Sequence, residues 1–67
     1  MRKDLKVFRV MQDLTQEEMA ARVGITRANY NLIENGKSNG GFKFWIKLQN
    51  EFNLTDEQVW KMKVNVI

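Results

Sequence analysis

Apolar residues recur every three or four positions along most of the chain, which is the spacing of helices that bury one face. Polar breaks and glycines divide this pattern into five segments, which predict helices over about residues 3–12, 15–23, 26–35, 42–52 and 55–62. Only the last five residues alternate apolar and polar as a strand would. We therefore expect an all-α fold, a compact five-helix bundle that forms a single domain.

Threonine and glycine mark the helix ends. Thr15 and Glu18 have the spacing of a capping box, in which each side chain accepts a hydrogen bond from the other residue's backbone N–H. Thr26 is a predicted N-cap of the third helix, and Gly24 suits the left-handed residue that ends the second. Two short helices joined in this way predict a helix-turn-helix over about residues 15–35.

The inward-facing positions follow from the same spacing. A small side chain at Ala20 lets the two helices cross closely, and Ile25 is expected to fill the corner between them. The predicted core comprises these two with Met19, Val23, Tyr30, Ile33, Phe44, Trp45, Leu48, Phe52, Val59 and Trp60.

The composition argues against several kinds of site. The 67 residues include no cysteine and no histidine, so the chain lacks the commonest general base, metal ligand and thiolate nucleophile. We expect no enzyme, no metal and no cofactor. No apolar run approaches the length of a membrane helix, and we expect a cytoplasmic protein. The net charge of +3 is compatible with an anionic partner.

The stretch around the glycine turn carries a more specific signal. Its identifying residues are Thr15-Gln16-Glu17-Glu18, Ala20, Gly24-Ile25-Thr26-Arg27 and Ile33-Glu34-Asn35-Gly36-Lys37. In these residues the chain resembles the Cro/repressor (Xre-type) family of helix-turn-helix DNA-binding proteins, and the likeness extends from Leu5 to Trp60. The resemblance implies one lambda-repressor-like domain over residues 1–67, whose third helix lies in the major groove of operator DNA.

The resemblance also implies which side chains would meet DNA. The base-reading candidates are Arg27, Ala28, Asn31 and Leu32. Arg27 is the best of them, because a guanidinium can bond O6 and N7 of guanine together. A cation at a helix start also opposes the helix dipole and therefore needs another reason to be there. The phosphate-binding candidates are Gln16, Thr26, Asn35, Lys37, Ser38, Asn39 and Lys43. The alternative for each is a solvated surface residue.

Arg9 and Glu34 stand at family positions that form a structural ion pair between the first helix and the end of the third. A phosphate would repel Glu34, so we expect this bridge and no DNA contact there. Relatives often have proline and a capping residue before the fourth helix. Gly40-Gly41 in their place predicts a looser loop.

Two apolar surfaces predict protein partners. Family dimers commonly form through the fourth and fifth helices and the C-terminal segment, here a tail over about residues 62–67. The predicted homodimer surface is Trp60, Met62, Val64, Val66 and Ile67, and such a dimer would favour a pseudo-palindromic operator. The alternative is that Trp60 completes the monomer core. Val7, Val10 and Met11 form a second apolar face, which could dock the tail or another protein.

The expected function is a sequence-specific DNA-binding transcriptional regulator, most simply a small phage or bacterial repressor or Cro-like protein. Two alternatives remain open. The chain could be the antitoxin of a toxin–antitoxin pair, with a toxin over the Val7, Val10 and Met11 face. It could instead be a protein-interaction module that has lost DNA binding, although Gln16 and Arg27 keep chemistry that suits DNA.

Overall fold

The computed structural model describes all 67 residues, which form five α-helices and no strand. The helices are α1 (Lys3–Met11), α2 (Gln16–Arg22), α3 (Arg27–Glu34), α4 (Gly41–Phe52) and α5 (Asp56–Val64). α2 packs on α3, α1 lies against α3 and α5, and α4 packs on α5. The prediction of an all-α, five-helix fold is confirmed.

Side-chain caps set the starts of α2 and α3. The Glu18 N–H donates to Thr15 Oγ1 at 3.1 Å, and the Thr15 N–H donates to Glu18 Oε1 at 2.9 Å. The bond from the Thr15 backbone holds the pKa of the Glu18 carboxyl below its ordinary value. Thr26 Oγ1 accepts from the Asn29 N–H at 3.1 Å. Each cap satisfies a backbone donor that the helix leaves unpaired, which contributes about 1 kcal/mol.

Apolar side chains from all five helices meet in one core. Its members are Leu5, Met19, Ala20, Val23, Tyr30, Ile33, Phe44, Trp45, Leu48, Val59 and Met62. Phe52 and Ile25 are half-buried at its edge, where the ring of Phe52 packs edge-on against Phe8 with centroids 5.1 Å apart. Burying one large side chain of this kind stabilises a fold by about 1.5–3 kcal/mol, so this cluster holds the helices together.

The prediction that Trp60 closes the core is wrong. Val59 and Met62, three positions apart, face inward from α5 and are buried. Trp60 follows Val59 by about 100° around the helix, and its side chain is 61% exposed. The same geometry corrects the place of Met62 in the predicted dimer surface, because only 7% of Met62 is exposed.

The C-terminal tail is shorter than predicted, because α5 continues to Val64. Residues 65–67 form no strand and lie beside the N-terminus. The Ile67 N–H donates to the Met1 carbonyl at 2.9 Å, and Asn65 Nδ2 donates to Asp4 Oδ2 at 2.9 Å. The tail therefore does not cover the apolar face of α1, where Val7, Val10 and Met11 all remain exposed.

Two glycines permit turns that other residues disfavour. Gly24 has φ +74° in the turn between α2 and α3, and Gly40 has φ +84° before α4. A Cβ atom at Gly40 would lie 3.1 Å from the Phe44 ring and 3.2 Å from Trp45 Nε1. The Gly40 N–H also donates to Ser38 Oγ at 3.3 Å. The loop that we expected to be loose is thus packed against the core at Gly40.

The ion pair between Arg9 and Glu34 joins α1 to the end of α3. Arg9 Nε donates to Glu34 Oε2 at 2.9 Å and Arg9 Nη1 to the Leu14 carbonyl at 2.8 Å. The side chains are only 12% and 3% exposed, respectively. Burial by itself would raise the pKa of Glu34, but the hydrogen bonds from Arg9 and Gln16 and the charge of Arg9 outweigh it. The pKa of this carboxyl therefore lies below its ordinary value.

Glu34→Gln should remove both the charge pair and its pH dependence. Leaving one charge of a buried pair without its partner costs about 3 kcal/mol or more. Because the folded-state pKa of Glu34 is lowered, its contribution is complete above the unfolded-state pKa and is lost as the pH falls through the folded-state value. We expect the free energy of unfolding of the wild type to fall more steeply than that of the variant below about pH 5. Urea denaturation followed by circular dichroism at several pH values measures both effects.

Glu51→Gln is the matched control. Its carboxylate pairs with Arg22 at 3.0 Å, but both side chains are substantially exposed, so its loss should cost less than about 1 kcal/mol. Equal losses in the two variants would contradict the assignment of Glu34 as a buried charge that needs its partner.

Candidate nucleic-acid interface

The turn between α2 and α3 places the two helices close together. Ala20 is buried at the crossing, and Ile25 is half-buried in the corner. The Ile25 N–H donates to the Ala20 carbonyl at 3.0 Å, so the turn is closed by the backbone as well as by packing. On one side of α3, the side chains of Arg27, Ala28, Asn29 and Leu32 stay exposed.

That open side of α3 carries the predicted base-reading residues. Tyr30, Ile33 and Glu34 are buried, whereas Arg27 and Ala28 are exposed and Leu32 is 42% exposed. The side chain of Arg27 makes no hydrogen bond or ion pair within the protein. Its guanidinium is therefore free to bind a partner.

Gln16 begins a chain of amide hydrogen bonds across α2 and α3. Its Nε2 donates to Glu34 Oε1 at 3.2 Å, and its Oε1 accepts from Asn31 Nδ2 at 3.1 Å. Asn31 Oδ1 in turn accepts from Asn35 Nδ2 at 3.1 Å. The chain links the start of α2 to the end of α3 and is anchored on the buried carboxylate of Glu34.

These bonds limit what each amide can still donate. An amide group has two N–H donors, so Gln16 and Asn31 each keep one free. A side chain that reads adenine needs a donor and an acceptor together, and Nδ2 and Oδ1 of the half-buried Asn31 each already make one hydrogen bond within the protein. The structure thus gives Asn31 a part in orienting Gln16 and Asn35, beside its predicted contact with a base.

The loop after α3 exposes the side chains of Lys37 and Asn39, while its backbone is held by hydrogen bonds within the protein. The N–H groups of Lys37 and Ser38 both donate to the Leu32 carbonyl, at 2.9 and 3.2 Å. Trp45 Nε1 donates to the Asn39 carbonyl at 2.8 Å. Because these bonds hold the loop backbone in place, they also limit where the exposed side chains of Lys37 and Asn39 can lie.

A family model described as helix-turn-helix matches residues 5–59, which span α1 to α5. The chain belongs to this helix-turn-helix family.

Curated relatives support the same assignment. An uncharacterised HTH-type transcriptional regulator of Archaeoglobus fulgidus is 38% identical over 60 residues, which cover 90% of this chain and 84% of the relative. A regulator with the same description from Methanocaldococcus jannaschii is 32% identical over 60 residues, which cover 90% of this chain and 91% of the relative. A second regulator from Archaeoglobus fulgidus is 32% identical over 68 residues, and the match covers 90% of this chain and 97% of the relative. No solved structure gives a significant match.

The predicted phosphate-binding residues of this helix-turn-helix domain differ in how free they are. Asn35, Lys37, Asn39 and Lys43 are exposed. Three others already serve the fold: Gln16 bonds Glu34, Thr26 caps α3, and Ser38 Oγ accepts from the Gly40 N–H. Each of these three keeps one hydrogen to donate to a partner.

Sequence reasoning missed two basic residues. Lys47 is exposed on α4, and its Nζ lies 3.9 Å from the position that a Cβ atom on Gly24 would take, beside the helix-turn-helix corner. The spacing of Lys43 and Lys47, four apart on one helix face, was an available signal. Arg2 is buried, and no local pattern indicates that, because its partners come from distant parts of the chain.

Other kinds of site find less support. No three carboxylate, cysteine or histidine side chains are grouped as ligands of a metal ion would be. None of the five helices combines the length and the hydropathy that crossing a bilayer requires.

Proposed function

We propose that this helix-turn-helix domain is a sequence-specific DNA-binding transcriptional regulator whose α3 enters the major groove. The observation that carries the proposal is the unpaired, exposed Arg27 at the start of a helix with one open side. The major groove admits a helix of this kind, and an arginine there can read guanine. The printed names of three relatives, which are HTH-type transcriptional regulators, support the same function.

Side chains around α3 carry hydrogen-bond donors and positive charges that could bind the phosphates of the DNA backbone. The free hydrogens of Gln16 and Thr26 lie at the starts of α2 and α3, where backbone amides also favour an anion. Further donors lie at the end of α3 and in the loop after it, on Asn35, Lys37, Ser38 and Asn39. Lys43 adds a positive charge from α4. We propose that these side chains bind phosphates and set the register of α3, whereas Arg27, Ala28, Leu32 and Asn31 meet the bases.

We propose a homodimer that binds a pseudo-palindromic operator. Trp60, Val64, Val66 and Ile67 are exposed on α5 and the tail. Trp60 and two exposed α4 residues, Phe42 and Ile46, line one groove between the helices. Exposed aromatic residues of this kind are enriched in protein interfaces. Two copies joined there would present two α3 helices to one face of the duplex.

The apolar face of α1 supports a second candidate function. Val7, Val10 and Met11 stay exposed, and no element of the chain covers them. A small repressor or Cro-like regulator of a phage or bacterium needs no such face, whereas an antitoxin would use it to hold its toxin. The exposed apolar face of α1 therefore favours the antitoxin of a toxin–antitoxin pair as the second candidate function.

Arg27→Ala and Lys37→Ala should separate base reading from phosphate binding. The operator is first enriched from a random-sequence pool, and binding is then measured by gel shift at several salt concentrations. Arg27→Ala should cost about 1–3 kcal/mol of preference for the operator while random DNA binding changes little. Lys37→Ala should weaken both alike and lower the salt slope by about 1.

Lys6→Ala is the control for a lost charge, because Lys6 is an exposed lysine on α1, a helix that carries none of the proposed DNA-binding or dimer residues. It should leave the salt slope unchanged. Absence of DNA binding by the wild type at low salt would overturn the proposed function and favour a protein-interaction module.

Trp60→Ser should break the dimer without unfolding the protein. A buried interface tryptophan contributes about 2 kcal/mol or more, so the dimer dissociation constant should rise about thirtyfold or more. Sedimentation equilibrium measures this directly. Met11→Ser, which removes a similarly exposed apolar side chain from α1, should leave the dimer intact. A dimer that survives Trp60→Ser and is lost in Met11→Ser would place the interface on α1.

A further inference from the structure

Arg2 is a buried arginine without a carboxylate partner. Only 2% of the residue is exposed, although it is the second residue of the chain. Its guanidinium donates to three backbone carbonyls: Nη1 to Ile33 at 2.6 Å and to Ser38 at 2.7 Å, and Nε to Lys63 at 3.1 Å. Burial lowers the pKa of this arginine from its ordinary value, but an arginine remains charged.

The three carbonyls come from segments far apart in the chain. Ile33 belongs to the last turn of α3, Ser38 to the loop that follows it, and Lys63 to the last turn of α5. The carbonyls at a helix C-terminus carry partial negative charge and lack partners within the helix. A buried cation is therefore tolerated here, because two helix ends and a loop together take the place of a counter-ion.

An arginine suits this position better than a lysine. The guanidinium is a planar fork with five N–H donors, and it stacks on aromatic rings. The guanidinium carbon of Arg2, Cζ, lies 5.5 Å from the centroid of the Trp45 ring. The backbone of Arg2 adds one more bond, from its N–H to the Glu34 carbonyl at 2.7 Å.

Arg2 and Trp45 hold the loop 37–39 from its inner side. Arg2 bonds the Ser38 carbonyl, and Trp45 bonds the next carbonyl, that of Asn39. Lys37, Ser38 and Asn39 are three of the proposed phosphate-binding residues. The positions of the exposed Lys37 and Asn39 side chains and of the half-buried Ser38 side chain depend on a backbone that these two interior groups fix.

We propose that Arg2 is a positioning residue for DNA binding, which holds the loop 37–39 in the geometry that meets phosphates and ties it to the end of α5. This inference rests on the proposed function. Arg2 itself touches no DNA. It acts through the loop backbone, and it joins that loop to the helix that carries the proposed dimer surface.

Arg2→Lys tests the proposal because it keeps the charge and removes the fork. In the gel-shift titration, the slope of log Kd against log salt should fall by about one to two, as expected for the loss of one or two phosphate contacts. The preference for operator over random DNA should stay within about twofold, because α3 keeps its own residues. Arg2→Gln, which keeps two donors without the charge, should give the same loss of slope.

Val59→Ala controls for simple loss of stability. It makes a cavity in the core on α5 but removes none of the hydrogen bonds that Arg2 and Trp45 make to the loop and to α5. All Kd values are corrected for the folded fraction measured by circular dichroism. The proposal requires that Arg2→Lys lower the salt slope and that Val59→Ala leave it unchanged. Equal slopes in Arg2→Lys, Val59→Ala and the wild type would overturn it.

A second readout needs no DNA. The amide protons of Lys37 and Ser38 are both bonded to the Leu32 carbonyl, and their exchange with solvent is measurable by NMR. Arg2→Lys should speed this exchange about tenfold or more relative to Val59→Ala. If the wild type fails to bind DNA, the proposed function fails by itself. An exchange rate that Arg2→Lys leaves unchanged overturns the positioning role in either case.

Discussion

The buried carboxylate of Glu34 is the constraint on which the rest of this structure depends. A charge in the interior of so small a fold is tolerated only when it is paired and its remaining lone pairs are satisfied. Arg9 supplies the charge from α1, and Gln16 supplies a further hydrogen bond from α2. Three helices therefore have to meet at one carboxylate, and α3, which carries it, is held at a defined angle with its other side open.

The same carboxylate organises polar residues that lie nearer the surface. Gln16 is oriented by Glu34, Asn31 by Gln16, and Asn35 by Asn31. Long flexible amides lose side-chain entropy when a ligand orders them, and this chain of bonds orders them beforehand. The buried ion pair thus prepares the surface that we propose binds DNA, although no atom of the pair needs to touch DNA.

The two buried arginines solve the same problem in different ways. Arg9 faces a carboxylate, so its charge is neutralised by a formal counter-charge. Arg2 faces three carbonyls at the ends of helices, so the neutralising charge is spread over backbone dipoles. One arginine joins α1 to α3, and the other joins the loop after α3 to the end of α5. Arg2 also lies 5.5 Å from the centroid of the Trp45 ring on α4, whereas α2 is joined to the network through the bond from Gln16 to Glu34.

The sequence by itself determined the helices, because their caps and apolar spacing are local properties. The Thr15 and Thr26 caps and the glycine turn at Gly24 required only a few neighbouring residues, and the family motif added the Arg9–Glu34 pair. Burial of Met62 and exposure of Trp60 depended on which face of α5 meets α1 and α4, which the weak amphipathic pattern of that helix could not specify. The enclosure of Arg2 depended on carbonyls 31, 36 and 61 residues away along the chain. Only the packed tertiary structure brings such groups together.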